Sequence, residues 1–280
     1  MPNLRYYECE DFIVRHALDQ SLTPGTYKMH VHEDIEIYFF IRGKGYYIVE
    51  GTEYKLMPRD ILIIRNAEAH MPRIDPGEPY ERLVYNVQPA FLDKVDPSGT
   101  LHRMIYDHPL GQCNAFHADD YSENVWKNIE HFIQEQTADS HLLRLSAMGR
   151  LISILSELAY VYEKAKIPLP ANDRLPSQII RYVNEELFSE LSLESISAHF
   201  FLSKSQLGKI FKAATGSSVW EYICIKRLIA AREMILSGYA AKDACISCGF
   251  KDYSAFWRAY KHKFNVSPSH DRTEAAAAQR

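Results

Sequence analysis

Long hydrophobic runs are missing from this sequence: nowhere in its 280 residues do the roughly eighteen consecutive apolar residues of a membrane helix occur. Met1-Pro2-Asn3 does not open a signal peptide, so a cytoplasmic protein with no membrane partner is expected. Cysteine is scarce, with five in all. An odd number that small argues against a disulfide framework and suits a reducing compartment. Cys245 and Cys248 have C-x-x-C spacing, but no second pair and no nearby histidine motif accompanies them. Packing within a helix is therefore expected rather than metal or redox chemistry. An excess of one charge is absent too, with 32 Lys and Arg against 36 Asp and Glu and an isoelectric point near 6.3. That argues against a protein that coats nucleic acid at large.

The charge is nevertheless uneven along the chain. Residues 173–272 hold 14 Lys and Arg against 10 Asp and Glu, about +4, which leaves 18 against 26, about −8, for the rest. A basic module joined to an acidic one suits selective nucleic-acid binding with help from phosphate attraction. A chain of 280 residues is long enough for two domains, each with its own core.

The basic segment contains one helical unit twice. Displaced by 49 positions, Leu207-Gly208-Lys209-Ile210-Phe211-Lys212 falls on Phe256-Trp257-Arg258-Ala259-Tyr260-Lys261, and Thr215-Gly216-Ser217-Ser218 falls on Phe264-Asn265-Val266-Ser267. In the first copy, Ser192 caps a short helix and Ser203 with Gln206 forms a capping box that starts a second. Leu207, Ile210 and Phe211 share its buried face, leaving Ser205, Gln206, Gly208 and Lys209 outward. In the second copy Gly249 supplies the turn and Asp252 caps a helix buried through Phe256 and Tyr260. Its open face carries Tyr253, Ser254, Trp257, Arg258 and Lys261. An amphipathic helix from about Ser218 to Leu236, ended by Gly238, would hold the copies in fixed relation. Two helix-turn-helix units exposing bases from apolar-backed helices suggest a reader of double-stranded DNA.

Phe211-Lys212 then Thr215-Gly216, Arg227-Leu228 with Ala231, Gly249-Phe250, Phe256 with Arg258, and Pro268 with Arg272 resemble in order and spacing the signature of the AraC/XylS family of bacterial transcription regulators. The resemblance covers roughly residues 174–272. It implies two recognition helices in successive major-groove segments on one face of the duplex, ~34 Å apart. The implied base-facing residues are Ser205, Gly208 and Lys209, then Tyr253, Ser254, Trp257 and Arg258. Ser203, Lys204, Gln206, Lys212 and Lys261 complete the expected DNA-binding set, Lys212 as a phosphate contact. The chain departs from the family where Ala244-Cys245 replaces its usual Ile-Ala and Asn265 its usual Gly, and Gly208 offers no side chain for readout. These departures bear on sequence specificity rather than on fold.

From Thr26 to Val87 the pattern changes to short β-rich runs split by glycine turns. Ile35 to Phe40, Tyr46 to Val49 and Asp60 to Ile64 read as strands of a small antiparallel barrel. His30-x-His32, Glu36 and Gly43 resemble the first motif of the cupin jelly roll, which the family commonly uses as a sensor. The second motif is degraded: Arg59, Arg65 and Ala67 occupy its Gly, Pro and Gly positions, while His70 keeps the spacing of its final histidine. His30 and His32, two apart, face the same side of a strand and can converge with Glu36 and His70. Such a set suits Zn, Ni, Mn or non-haem Fe. The alternative is that these residues hydrogen-bond a ligand directly. The expectation is ligand contact without a cofactor, because the lost turns would leave His70 poorly held. Tyr38 and Arg73 join the expected ligand set. Tyr27, Phe40, Tyr46 and Tyr85 share the cavity or the core around it, and Arg73 and Arg82 could meet a carboxylate or sugar hydroxyl, although surface positions suit both.

Between the modules, Asp120 to Gln136 is helical in pattern, and His141 to Tyr162 carries a wide stripe of Leu142, Leu145, Met148, Leu151, Ile152, Leu155, Leu158 and Ala159. A homodimer through this stripe is expected. The proline-rich stretch 167–173 reads as a linker. The expected organisation is α+β and multidomain: 1–166, a cupin-like ligand-sensing and dimerisation domain; 174–272, an all-α DNA-binding domain; 273–280, a tail. The resemblance implies no enzyme but an activator of carbohydrate or other small-molecule catabolic genes, working with RNA polymerase and an effector for which a sugar is the first candidate. A cupin-type metalloenzyme, an isomerase or dioxygenase, is the alternative, and it leaves the helical repeat unexplained. A DNA-binding protein with a purely structural barrel is a third reading.

Overall fold

The computed structural model describes residues 3–23, 26–134, 140–165 and 175–278. The chain divides into two compact units, Met1–Ala171 and Asn172–Arg280. The expected linker, 167–173, lies outside the described residues.

The first unit contains strands β1 (Asn3–Glu8), β2 (Phe12–Asp19), β3 (Ile35–Arg42), β4 (Gly45–Val49), β5 (Thr52–Lys55), β6 (Ile61–Ile64), β7 (His70–Ile74), β8 (Tyr80–Val87) and β9 (Ala115–Phe116). They form a six-stranded sheet, β1-β2-β8-β3-β6-β9, and a three-stranded sheet, β5-β4-β7, with antiparallel pairing throughout. The barrel begins earlier than the glycine-punctuated pattern indicates, since β1 and β2 precede Thr26.

Strand β3 is buried without a break from Ile35 to Phe40, the charged Glu36 included, because both of its faces are covered. Ile35, Ile37 and Phe39 join the core shared with the helices, whereas Tyr38 and Phe40 join a second cluster with Tyr47, Val49, Leu62, Ile64 and Tyr80. The period of two along β3 thus places Glu36 and Tyr38 on the side opposite the helices. The same alternation in β8 sends Leu83, Tyr85 and Val87 to the helix side and Tyr80 to the other.

Helices α1 (Pro89–Val95), α2 (Thr100–Tyr106), α3 (Glu123–Gln134) and α4 (Ser140–Ala165) cover the outer face. Val125, Ile129 and Phe132 of α3 and Leu151, Leu155, Leu158 and Ala159 of α4 are buried in this core, alongside Ala147 and Ile154. The stripe on α4 is therefore divided. Its C-terminal half packs within its own unit, while Leu142 and Leu145 remain 57% and 60% exposed. Leu155, an expected dimer contact, is fully buried here, because sheet packing takes the face it shares with Leu151 and Leu158.

The second unit is helical: α5 (Leu175–Glu185), α6 (Leu193–His199), α7 (Lys204–Thr215), α8 (Val219–Leu236), α9 (Ala241–Ser247), α10 (Tyr253–Phe264) and α11 (Pro268–Ala278). The 49-residue repeat is kept element by element. Helices α7 and α10 are each 12 residues long, are capped by Ser203 and Asp252, and end at Gly216 and Asn265, both left-handed at φ 72° and 60°. Asparagine tolerates that conformation better than other side-chain-bearing residues, so Asn265 does the work of the family's glycine. Leu207, Phe211, Phe256 and Tyr260 are all at most 1% exposed. Ile210 is only partly buried, and Cys245 and Cys248 pack as free thiols in the core around α8. The chain remains helical to Ala278, beyond Arg272 where a tail is expected.

Candidate functional site

The two recognition helices are oriented by their buried backs. Arg227, on α8, donates from Nε to the carbonyl of Leu187, from Nη1 to Gly249 and from Nη2 to Ser189, at 2.7, 2.7 and 2.8 Å. One buried guanidinium thus ties the segment after α5 to the turn before α10. Gly249 (φ 78°) sits so close that a Cβ there would lie 2.9 Å from Arg227 Cζ, which explains glycine at this turn. Below α10, Asp271 accepts from Tyr260 Oη at 2.6 Å and Arg232 Nε at 2.7 Å.

Of the seven expected residues of the first unit, Ser203, Lys204, Ser205, Gln206, Lys209 and Lys212 are exposed and Gly208 is half-buried. Three of them have local partners. Ser203 and Gln206 close the capping box reciprocally, and Lys204 pairs with Glu194. Among the described residues, the side chains of Ser205, Lys209 and Lys212 have no hydrogen bond or ion pair of this kind. In the second unit Tyr253, Ser254, Arg258 and Lys261 are exposed, whereas Trp257 is half-buried, with the Lys261 ammonium 5.2 Å from its ring centre.

In the first unit of the fold, a cavity of about 470 Å³ opens on the barrel side opposite the helices. Tyr38, Tyr80, Arg82 and Asn86 line it from the six-stranded sheet, and Tyr27, His30, Glu36 and Tyr47 complete a polar and aromatic wall. The Tyr38 and Tyr80 hydroxyls lie 2.8 Å apart. Burial pushes both phenols, and that of Tyr47, above their ordinary range, so all three keep their protons. Arg82 donates to Asp19 at 2.6 Å and lies over the Tyr80 ring at 4.4 Å. Its burial departs from the surface position that suits its charge, and the Asp19 carboxylate explains it.

Of the expected ligand residues, His30, Glu36 and Tyr38 line this cavity, and His32 and His70 stand beside them. Arg73 does not. It is the outward residue of β7, paired with Glu53 at 2.6 Å and lying over Tyr46. Tyr46 is likewise on the outside and Tyr85 faces the helices, since their strand parity turns them away. Tyr47, Tyr80 and Asn86 escaped the sequence reading. Parity from Glu36 and Tyr38, carried across the β3–β8 pairing, would have found the two on β8.

His30, His32, Glu36 and His70 do come together, each offering a donor atom within 4.8 Å of the others. Burial alone would raise the Glu36 carboxyl, but His70 and His32 beside it hold it well below the usual carboxylate range. Burial opposes charge on His70, yet Glu36 draws it above the ordinary imidazole value. His70 is firmly held, against expectation: its backbone exchanges hydrogen bonds with that of His30 at 3.0 and 3.1 Å. Arg59 and Ala67 adopt φ of 75° and 63°, so the chain makes the left-handed turns without the glycines.

Two family models match in tandem, one described as AraC-like ligand binding domain over residues 17–154 and one as Helix-turn-helix domain over residues 196–274. Among curated proteins, the HTH-type transcriptional activator RhaS of Escherichia fergusonii is 23% identical over 266 residues, 90% of each chain. The Msm operon regulatory protein of Streptococcus mutans is 21% identical over 248 residues, 87% of this chain and 86% of its own. A solved structure of ToxT from Vibrio cholerae aligns over 93% of this chain and 97% of its own, with a TM-score of 0.38 and 15% identity. With its ligand-binding module ahead of its helix-turn-helix module, the chain belongs to the AraC family of transcription regulators.

Proposed function

We infer that this protein is an effector-responsive, sequence-selective activator of transcription whose effector occupies the tyrosine-lined cavity. The observation that carries the reading is the pairing, in one chain, of two equivalent recognition helices with exposed polar faces and a small polar cavity in a separate unit. A cavity of a few hundred Å³ lined by aromatic faces and a few aimed polar groups suits a small, hydroxyl-rich molecule, and a sugar is the first candidate. Ser205, Lys209, Tyr253, Ser254 and Arg258 are the proposed base-reading residues, with Lys212 and Lys261 on phosphate. The exposed Leu142 and Leu145 and half-buried Ile152 of α4 are the proposed homodimer contact. Activation proceeds through RNA polymerase, in keeping with the named role of the relatives.

The test is a gel-shift titration of full-length protein on its own upstream region, with and without a panel of sugars. One sugar is expected to change the affinity several-fold. Asn86→Ala and Tyr38→Phe should lose that change while keeping effector-free affinity, because an effector acts only through its differential affinity for two conformations. Turnover of the sugar in place of a shift would favour the metalloenzyme alternative, for which the His and Glu cluster is the motive.

A further inference from the structure

Strand parity decides which side chains face the tyrosine-lined cavity. Arg15 and Ala17 of β2 and Arg82, Val84 and Asn86 of β8 line it, whereas Phe12, Val14 and Leu83 turn to the helix side. The β2–β8 register sets Arg15 beside Val84 and Ala17 beside Arg82, and the β3–β8 register sets Tyr38 on the other side of Val84. Two small side chains, Ala17 and Val84, thus form a floor. The longer polar groups Arg15, Asn86, Tyr38 and Arg82 stand round it.

Several of the wall's polar groups are engaged with one another. Arg82 pairs with Asp19 at 2.6 Å, and Glu36 accepts from Tyr47 Oη at 2.5 Å and lies against His32 and His70. On β1 the Tyr6 hydroxyl donates to Glu8. Arg15 and Asn86 differ from these. Among the described residues the Arg15 guanidinium makes no hydrogen bond or ion pair, so it is the charge on the wall with no counter-charge. Asn86 is only 6% exposed, yet its side-chain amide has no hydrogen-bond partner among the described residues. A buried amide costs free energy unless its polar atoms are satisfied, so a polar occupant belongs beside it. The Tyr38 and Tyr80 hydroxyls, 2.8 Å apart, share one hydrogen bond and leave the other O–H hydrogen for the same occupant.

We propose that the effector is a polyhydroxylated carboxylate, a sugar acid of the uronate or aldonate class, whose carboxylate takes the Arg15 fork while its hydroxyls meet Asn86 and the Tyr38–Tyr80 pair. A planar guanidinium matches a carboxylate with two parallel hydrogen bonds, which a neutral sugar cannot accept in that form. Arg73 and Arg82, the guanidinia expected from the sequence to meet a carboxylate, are taken by Glu53 and Asp19. The assignment rests on the effector reading given above and narrows it from sugars at large to their acids.

Calorimetric titration of full-length protein provides the test. The acids are D-galacturonate, D-glucuronate and D-gluconate, set against D-galactose, D-glucose and the methyl ester of D-galacturonate, which keeps the shape and removes the charge. At least one acid is expected to bind at least about tenfold more tightly than its neutral counterpart. Arg15→Gln should bring that ratio close to one, and Arg15→Lys should keep part of it, since it retains the charge and loses the fork. Arg15 is exposed, so both variants should keep the Tm of the parent protein. A neutral compound that binds as tightly as its acid, or an acid preference that survives Arg15→Gln, overturns the proposal. Gel shifts with the same compounds keep the two readings apart. An acid that binds through Arg15 without changing DNA affinity upholds the ligand class and counts against its role as effector. A neutral sugar that changes DNA affinity where the acids do not overturns the class and leaves the regulator reading intact. Binding by none of the compounds overturns the class and counts against the effector reading as well.

Discussion

The two helix-turn-helix units are near copies on the inside and different on the outside. Leu207 and Phe211 of α7 correspond to Phe256 and Tyr260 of α10, and all four are buried. At the free positions, Ser205, Gly208 and Lys209 of the first unit stand opposite Ser254, Trp257 and Arg258 of the second. The first unit also commits more of its polar groups to itself, with Ser203, Gln206 and Lys204 in a capping box and an ion pair, whereas Asp252 alone caps α10. Packing constrains the back of each helix and leaves its front to vary. On the proposed reading, the second unit discriminates bases and the first contributes more general attraction.

The largest test of the comparison concerns the shared core. Phe256→Ala should cost ~3–5 kcal/mol and Leu207→Ala ~2–5 kcal/mol in urea unfolding, as large-to-small changes at fully buried sites do. A loss under about 1 kcal/mol at either position would break their equivalence. The outer faces should then separate. Arg258→Ala is expected to weaken binding to the specific site by ~1–3 kcal/mol and to relax preference at one base pair. Lys212→Ala should lower affinity for all sequences alike and flatten the salt dependence by about one unit of slope. Equal losses on specific and random DNA for Arg258→Ala would remove it as a base reader. Smaller still are the caps: Ser203→Ala and Asp252→Ala should each cost ~1 kcal/mol of stability, and a markedly larger loss for Ser203→Ala would mark its two-way box as the stronger cap. The smallest effect is at the C-caps, where Asn265→Gly should gain a few tenths of a kcal/mol, since glycine meets no Cβ penalty at a positive φ. A loss at Asn265→Gly would mean that its side chain is used.

Legibility differed between the units for a physical reason. Helix limits in the DNA-binding unit depend on local chemistry, and Ser203 with Gln206, Asp252, Gly216 and Gly238 could be read directly. Helix α5 lacks a comparably clear start signal, and α11 was hidden by an alanine-rich end that resembles a tail. In the barrel, the strands of β3, β4 and β6 were legible from composition, but cavity membership was not, because it depends on register. Arg73 and Arg82 look alike in sequence. Strand parity sends one outward to Glu53 and the other inward to Asp19.

By itself the sequence determined the two-part organisation, the duplicated helical unit, its caps and its buried faces, and the set of histidines and carboxylate at cupin spacing. All of these depend on interactions a few residues apart or on a repeat within the chain. Only the tertiary structure decided which half of the α4 stripe stays exposed, that Arg227 joins two turns, that Tyr47, Tyr80, Arg82 and Asn86 line the cavity, and that His70 meets His30 despite the missing glycines. These depend on pairing between strands and helices distant in sequence, where a shift of one residue exchanges the inside of the barrel for the outside.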